Sequence, residues 1–136
     1  MAGNMTNVAQ INILCTELST SNVLINRSFS PTLTANGGVF ATYDAGTVGG
    51  AAIPFPIGIV NAYNVYIRNL NVAGGASILF IVTFNGQNAT SVILGPGDVF
   101  LYWTNTNPTG PSAGISITGL AVAAGSTGFF ECFVGG

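Results

Sequence analysis

Charge is what this chain has least of. Of its 136 residues, two are Lys or Arg, four are Asp or Glu, and none is His. An ordinary globular domain carries roughly a quarter of its residues as charged side chains. The only cations are Arg27 and Arg68, far apart in sequence, and there is no Lys. They cannot form the basic patch that displaces phosphate counterions, so no nucleic-acid partner is expected. Without His the chain lacks the commonest general base and the commonest metal ligand. Its two cysteines, Cys15 and Cys132, match no zinc spacing. Long apolar runs are missing too. None approaches about 18 uninterrupted residues, so no membrane-spanning helix is expected. The opening "MAGNMTNVAQ" has neither the basic start nor the apolar stretch of a signal peptide, and the sequons "NMT", "NRS" and "NAT" then read as chance matches. A formal net charge of −2 leaves little self-repulsion between copies, which favours packing into something larger.

What is present is β-forming sequence cut into short pieces. Nothing shows helical periodicity over a useful length, and Gly, Asn, Thr and Ser punctuate the whole chain. Strands are predicted within 11–18 ("INILCTEL"), 21–30 ("SNVLINRSFS"), 36–46, 61–70 ("NAYNVYIRNL"), 77–84 ("SILFIVTF") and 87–94 ("QNATSVIL"). Three more follow, in "VFLYWTN", "ISITGLAVA" and "GFFECFV". Asn85-Gly86 predicts a hairpin, because both residue types tolerate positive φ. "GPGD" (95–98) predicts a turn with Pro96 fixing φ and Gly97 in a left-handed conformation. Pro54 and Pro56 exclude a central strand from the Gly/Pro-rich stretch 46–58. The expected fold is all-β: an antiparallel β-sandwich of about eight strands, jelly-roll or Greek-key in kind, with a small barrel as the alternative. The length fits one domain over residues 21–136. Residues 1–20 read either as a separate arm or as the first strand of the same sandwich. As an arm, it offers Ile11, Ile13 and Leu14 as contacts to a neighbour's sheet edge.

Motifs for catalysis are weak. Asp44 in "YDAG" and Asp98 in "PGD" superficially resemble paired aspartates, but neither sits in an Asp-Thr/Ser-Gly motif. Asp98 is better explained as a turn residue binding nearby backbone N–H groups. The glycine runs precede strands, which argues against phosphate loops. No enzymatic activity and no cofactor are expected. A glycan partner has more to recommend it, since Trp103 and Tyr102 end a strand beside the polar loop 106–114. Adjacent strand residues point to opposite faces, however, so at least one of the two belongs to a core or an interface. Cys15 and Cys132 can pair only if the first and last strands are neighbours, and two buried free thiols is the other reading.

The strongest strands do not alternate apolar with polar. Val99 to Trp103 are all apolar or aromatic, and 77–84 and 128–134 are nearly so. A sandwich needs one apolar face per sheet. The surplus is too large for a soluble monomer and predicts burial against other copies. The residues expected at that subunit interface are Phe100, Tyr102, Trp103, Leu79, Ile81 and Phe130. Arg68 and Glu131 read as local edge charges; if both lie on one interface, they set register between subunits.

Residues from about 60 to 136 carry a further pattern. "IRNLN" (67–71) leads into a hairpin, "LGPGD" (94–98) feeds an apolar strand, and "ITGLAVA" (117–123) precedes a closing aromatic strand. This order resembles small virion proteins of tailed bacteriophages, of the capsid decoration (cement) type. The chain departs from that pattern in lacking the usual scatter of Lys and Glu. The resemblance implies a jelly-roll-like sandwich, commonly a homotrimer: a head decoration protein that sits on the outer capsid surface and binds the major capsid protein, often through a terminal arm, or else a tail- or fibre-associated protein. It implies no cofactor.

Overall fold

The computed structural model describes residues 5–104 and 115–136. Eleven strands and one single-turn helix lie within them: β1 (Met5–Val8), β2 (Ile11–Thr16), β3 (Val23–Phe29), β4 (Thr32–Ala35), β5 (Gly38–Asp44), α1 (Ala45–Val48), β6 (Asn64–Asn69), β7 (Ile78–Phe84), β8 (Thr90–Leu94), β9 (Val99–Trp103), β10 (Ile117–Val122) and β11 (Phe129–Gly135). All seven strand ladders are antiparallel. The fold is an all-β sandwich.

Two sheets make the body. One has the order β5-β11-β6-β9 and the other β10-β7-β8. The second gains a rudimentary fourth strand where residues 51–53 run beside β10, through the bridge Ala52–Ala121 and the bond from Ile53 N–H to the Leu120 carbonyl (2.8 Å). That segment stops at Pro54, which has no N–H to extend the ladder. From β5 onward the chain therefore crosses between sheets in the jelly-roll order: β5, 51–53, β6, β7-β8, β9, β10, β11. These are eight strand positions, seven of them in stretches where the sequence predicts strands and the eighth, 51–53, inside the stretch read as a Gly/Pro-rich connection.

The core lies between the sheets. Val65, Ile67, Phe130, Cys132 and Val134 from the four-stranded sheet meet Ile78, Phe80, Val82, Ile117, Leu120 and Val122 from the other, all essentially without solvent exposure. Phe130 is central. It stacks on Tyr43 at 5.3 Å and takes the edge of Phe80 at 5.0 Å, geometries that aromatic quadrupoles favour.

The turns follow their chemistry, with one departure. At 95–98 the N–H of Asp98 returns to the Gly95 carbonyl (3.0 Å), and Gly97 has φ of 81°. Pro96 and Gly97 thus occupy the central positions of a type II turn. The Asp98 carboxylate accepts from the Gly95 N–H (2.9 Å), the predicted role. Asp44 likewise caps α1 by accepting from the Gly46 N–H (2.9 Å). Asn85-Gly86 departs from expectation. Only Gly86 takes positive φ, and pairing resumes at Thr90, so the loop is longer than a two-residue hairpin.

"IRNLN" ties one end of the sandwich together. The Asn69 amide donates to the Ala76 and Leu94 carbonyls (3.0 and 2.9 Å) and the Asn71 amide to the Ala76 and Thr127 carbonyls. Asn71 Oδ1 accepts from the Phe129 N–H (3.1 Å). These buried and half-buried amides replace the loop-to-loop bonds that water would otherwise make.

Candidate functional site: a projecting hairpin and the groove at its foot

The N-terminal third builds two structures that periodicity alone does not separate. β1 and β4 pair with each other and lie over one end of the four-stranded sheet as a partial third layer. Asn7 is buried there. Its amide donates to Asn64 Oδ1 (2.9 Å), and its backbone carbonyl accepts from the Trp103 indole N–H (3.3 Å). A glycine makes the close approach possible: a Cβ on Gly135 would lie 2.6 Å from Asn7 Nδ2. Leu33 and Ala35 of β4 are fully buried, outside the main core.

β2 and β3 form a separate two-stranded ribbon that, among the described residues, joins no other sheet. Every residue of β3 and every residue of β2 except Ile11 is exposed. Seven large apolar side chains of this segment face solvent: Ile13, Leu14, Leu18, Val23, Leu24, Ile25 and Phe29. The register sorts its two faces. Ile11 pairs with Phe29, Ile13 with Arg27 and Cys15 with Ile25, and these three pairs share one face. Asn12 with Ser28 and Leu14 with Asn26 share the other, where the Ser28 hydroxyl donates to Asn12 Oδ1 (2.6 Å). The first face is apolar apart from Arg27, whose guanidinium donates to the Asn26 carbonyl (3.0 Å).

The hairpin meets the body at its foot. There Ile11, Phe29, Pro31, Leu101 and Trp103 line an open groove of about 620 Å³. An adjoining groove of about 310 Å³ continues along the outer face of the four-stranded sheet, past Val8, Tyr66, Val99, Leu101 and Phe133. Across that face the register aligns Phe40, Phe133, Tyr66 and Leu101 in one row, and Thr42, Glu131, Arg68 and Val99 in the next. Trp103 stacks on Phe133 at 5.5 Å. The Tyr66 hydroxyl donates to Glu131 Oε1 (2.6 Å). Burial raises the Tyr66 pKa, with the Glu131 carboxylate adding to the rise and Arg68 opposing it. Arg68 and Glu131, two isolated charges in the sequence, are thus cross-strand neighbours on one face.

The residues expected at the subunit interface do not form one surface. Phe130 is corrected outright: it is a core residue with no exposure. Phe100 and Tyr102 are corrected as well. They point inward and pack on the core, with Tyr102 edge-on to Phe84 at 5.4 Å and its hydroxyl bonded to the Ile115 carbonyl. Burial raises the Tyr102 pKa. Their odd-numbered neighbours Val99, Leu101 and Trp103 hold the outer face. Leu79 and Ile81 are half-buried on the outer face of the three-stranded sheet, on the far side of the molecule, beside Ile93, Gly119 and Ala121. Only Trp103 lies at the groove.

Ile11, Ile13 and Leu14 do lie on the projecting segment, but the arm is longer than residues 1–20. A lone strand cannot satisfy its backbone groups, so β2 takes β3 with it, and the projection runs from 11 to 29. The disulfide reading is corrected. Cys15 is exposed on the hairpin, Cys132 is buried in the core, and both are free. β2, which carries Cys15, pairs with β3, whereas β11, which carries Cys132, pairs with β5 and β6. Burial pushes the Cys132 thiol up to about 12. The indole N–H of Trp103 is already engaged and one ring face is taken by Phe133, which leaves less of it for a sugar; the polar loop 106–114 invoked beside it lies outside the described residues.

No signal in single residues marks the groove. The cue lies in the pairing of 11–16 with 23–29, which places Ile11, Ile13 and Ile25 together. Among the described residues, no group of three or more His, Cys, Asp or Glu could hold a metal ion, and no helix is long and apolar enough to cross a membrane. Comparisons with protein-family models, with curated proteins and with solved structures find no match.

Proposed function

We propose that this chain is a non-enzymatic structural protein of a virion, a decoration protein that binds the outer surface of the capsid and stabilises the shell as an oligomer. One observation carries the reading: an amphipathic β-hairpin stands clear of a well-packed sandwich with its apolar side chains in solvent. An isolated two-stranded hairpin is marginal in water, so this one needs a surface to lie on. The jelly-roll order and the scarcity of charge suit a module that spends its working life packed against other proteins. The likeness of 60–136 to phage decoration proteins supplies the partners: the major capsid protein and, as a homotrimer, further copies of the chain.

The test is add-back to shells. Particles stripped of the protein should lose thermal stability and regain it on addition of the purified chain, with density for the chain on the outer surface by electron cryomicroscopy. A chain with residues 12–28 replaced by a short Gly-Ser turn should fold and fail to occupy the shell. Density confined to the tail, or full occupancy by the truncated chain, would overturn the reading.

A further inference from the structure

The hairpin and the outer face of the four-stranded sheet are two apolar surfaces that meet at one groove. Ile11 and Phe29 from the first line it together with Leu101 and Trp103 from the second. We infer that the occupant of this surface is a second copy of the chain: the β2-β3 ribbon of one copy lies across the outer face of the β5-β11-β6-β9 sheet of the next. The inference rests on the reading of the chain as a self-assembling module, and it specifies which surfaces meet.

Charge selects this pairing over others. The ribbon's apolar face carries a single charge, Arg27, set among Ile11, Ile13, Ile25 and Phe29. The outer face of the four-stranded sheet carries Asp44, Glu131 and Arg68, two negatives against one positive, among Phe40, Phe129, Val99 and Leu101. The ribbon's face thus carries one excess cation and the sheet's outer face one excess anion, charges of opposite sign that meet when the two apolar surfaces are brought together. The outer face of the three-stranded sheet offers the ribbon no such partner, since Leu79, Ile81, Thr83, Ser91, Ile93, Gly119 and Ala121 are all uncharged. The contact is heterologous, hairpin to sheet, so it repeats from copy to copy and ends in a ring if the rotation closes.

Native Cys15 sits on the docking face of the ribbon, while Cys132 is buried and out of reach. Thr42 and Val99 mark the two ends of the row that holds Glu131 and Arg68. The full chain bearing Thr42→Cys or Val99→Cys, oxidised in solution without shells, should give intermolecular disulfides from Cys15 for at least one of the two. Non-reducing gels should show a ladder whose largest species equals the ring seen by light scattering. Adding Cys15→Ser should abolish it. Ile93→Cys, on the opposite sheet, should give none. Separately, Arg27→Glu should dissociate the ring at concentrations where the parent is assembled, while Arg27→Lys keeps it.

Links at Ile93→Cys alone, links only within one chain, or a chain that stays monomeric at all concentrations would overturn the inference. The last result leaves the decoration reading standing if the monomer still occupies shells through its hairpin. A ring that assembles as described and never binds shells would sink the decoration reading alone.

Discussion

The sandwich body and the β2-β3 hairpin use the same residue types in opposite ways. In the body, Phe80, Phe130 and Ile67 are wholly buried, and ring contacts fix the geometry of the two phenylalanines. In the hairpin, Leu14 and Leu24 are each about two-thirds exposed, 66% and 67%. The body satisfies its own hydrophobic pattern; the hairpin displays one. Local sequence does not distinguish them, because "INILC" and "SILFI" are similar in composition. What differs is partners. β7 lies between β8 and β10 in a sheet that is stacked on another, whereas β2 has β3 and nothing beyond. Burial in this molecule is thus concentrated in the sandwich and withheld from the hairpin.

The largest break in that contrast comes from the core. Phe130→Ala removes a ring wedged between Tyr43 and Phe80 and should cost about 3–5 kcal/mol by denaturant unfolding. A loss below about 1 kcal/mol would mean the two sheets are not packed as described. The body should also respond to alkali. Cys132, raised to about 12, and Tyr43, Tyr66 and Tyr102, all raised chiefly by burial, hold their protons longer when folded. The unfolded chain releases them first, near pH 9 for the thiol and 10 for the phenols. Stability is therefore full below pH 9 and declines as pH climbs toward 12. Cys132→Val should flatten the first part of that decline in unfolding curves taken at pH 8, 9.5 and 11. In the native protein at pH 8, a thiol reagent should modify Cys15 promptly and Cys132 only after unfolding.

Between body and hairpin lies the β1-β4 layer, and its hold on the sheet should be intermediate. Asn7→Ala leaves Asn64 Oδ1 without its buried donor, for an expected loss of about 1–3 kcal/mol. Trp103 fluorescence should shift to the red as the indole loses cover. An unshifted spectrum with an unchanged midpoint would show that β1 does not bear on the sheet.

Much of the body is legible in the sequence. Asp98 and Gly97 predict their turn, and the strands from β5 onward follow the punctuation, except the rudimentary strand at 51–53, which falls in the stretch read as a connection. The surplus of apolar faces was also legible, but not where it lies. In "VFLYW" the parity is undecidable without a neighbour: Phe100 and Tyr102 could as well have pointed out, and only pairing with Ile67 and Val65 turns them inward. Phe130 has the same ambiguity, resolved by Phe80. β1 and β4 are hidden because four residues such as "MTNV" and "TLTA" carry no periodicity worth reading. They become strands through Asn7 and Leu33, contacts far away in the chain. The hairpin's register, and with it the apolar face, depends on a pairing that sequence cannot fix.

The smallest expected effect on folding is the sharpest test of the contrast. Ile13 and Ile25 are exposed at 43% and 39% and pack on nothing in the core. Replacing both with Ser should leave the body's unfolding midpoint nearly where it was, since surface changes away from packed features fall within roughly ±0.5 kcal/mol. Hydrogen exchange should tell the two regions apart in the parent chain. In dilute monomer the amides of Val23–Phe29 should exchange close to unprotected rates, because local opening of an unstacked ribbon costs little, while those of β7 and β11 exchange only on global unfolding. Assembly should then slow exchange in the ribbon and leave the core strands unchanged, and the Ile13→Ser, Ile25→Ser chain should lose that added protection. If the ribbon is already as protected as β7 in dilute monomer, it is folded onto its own body, and the surface it displays is not there to be covered.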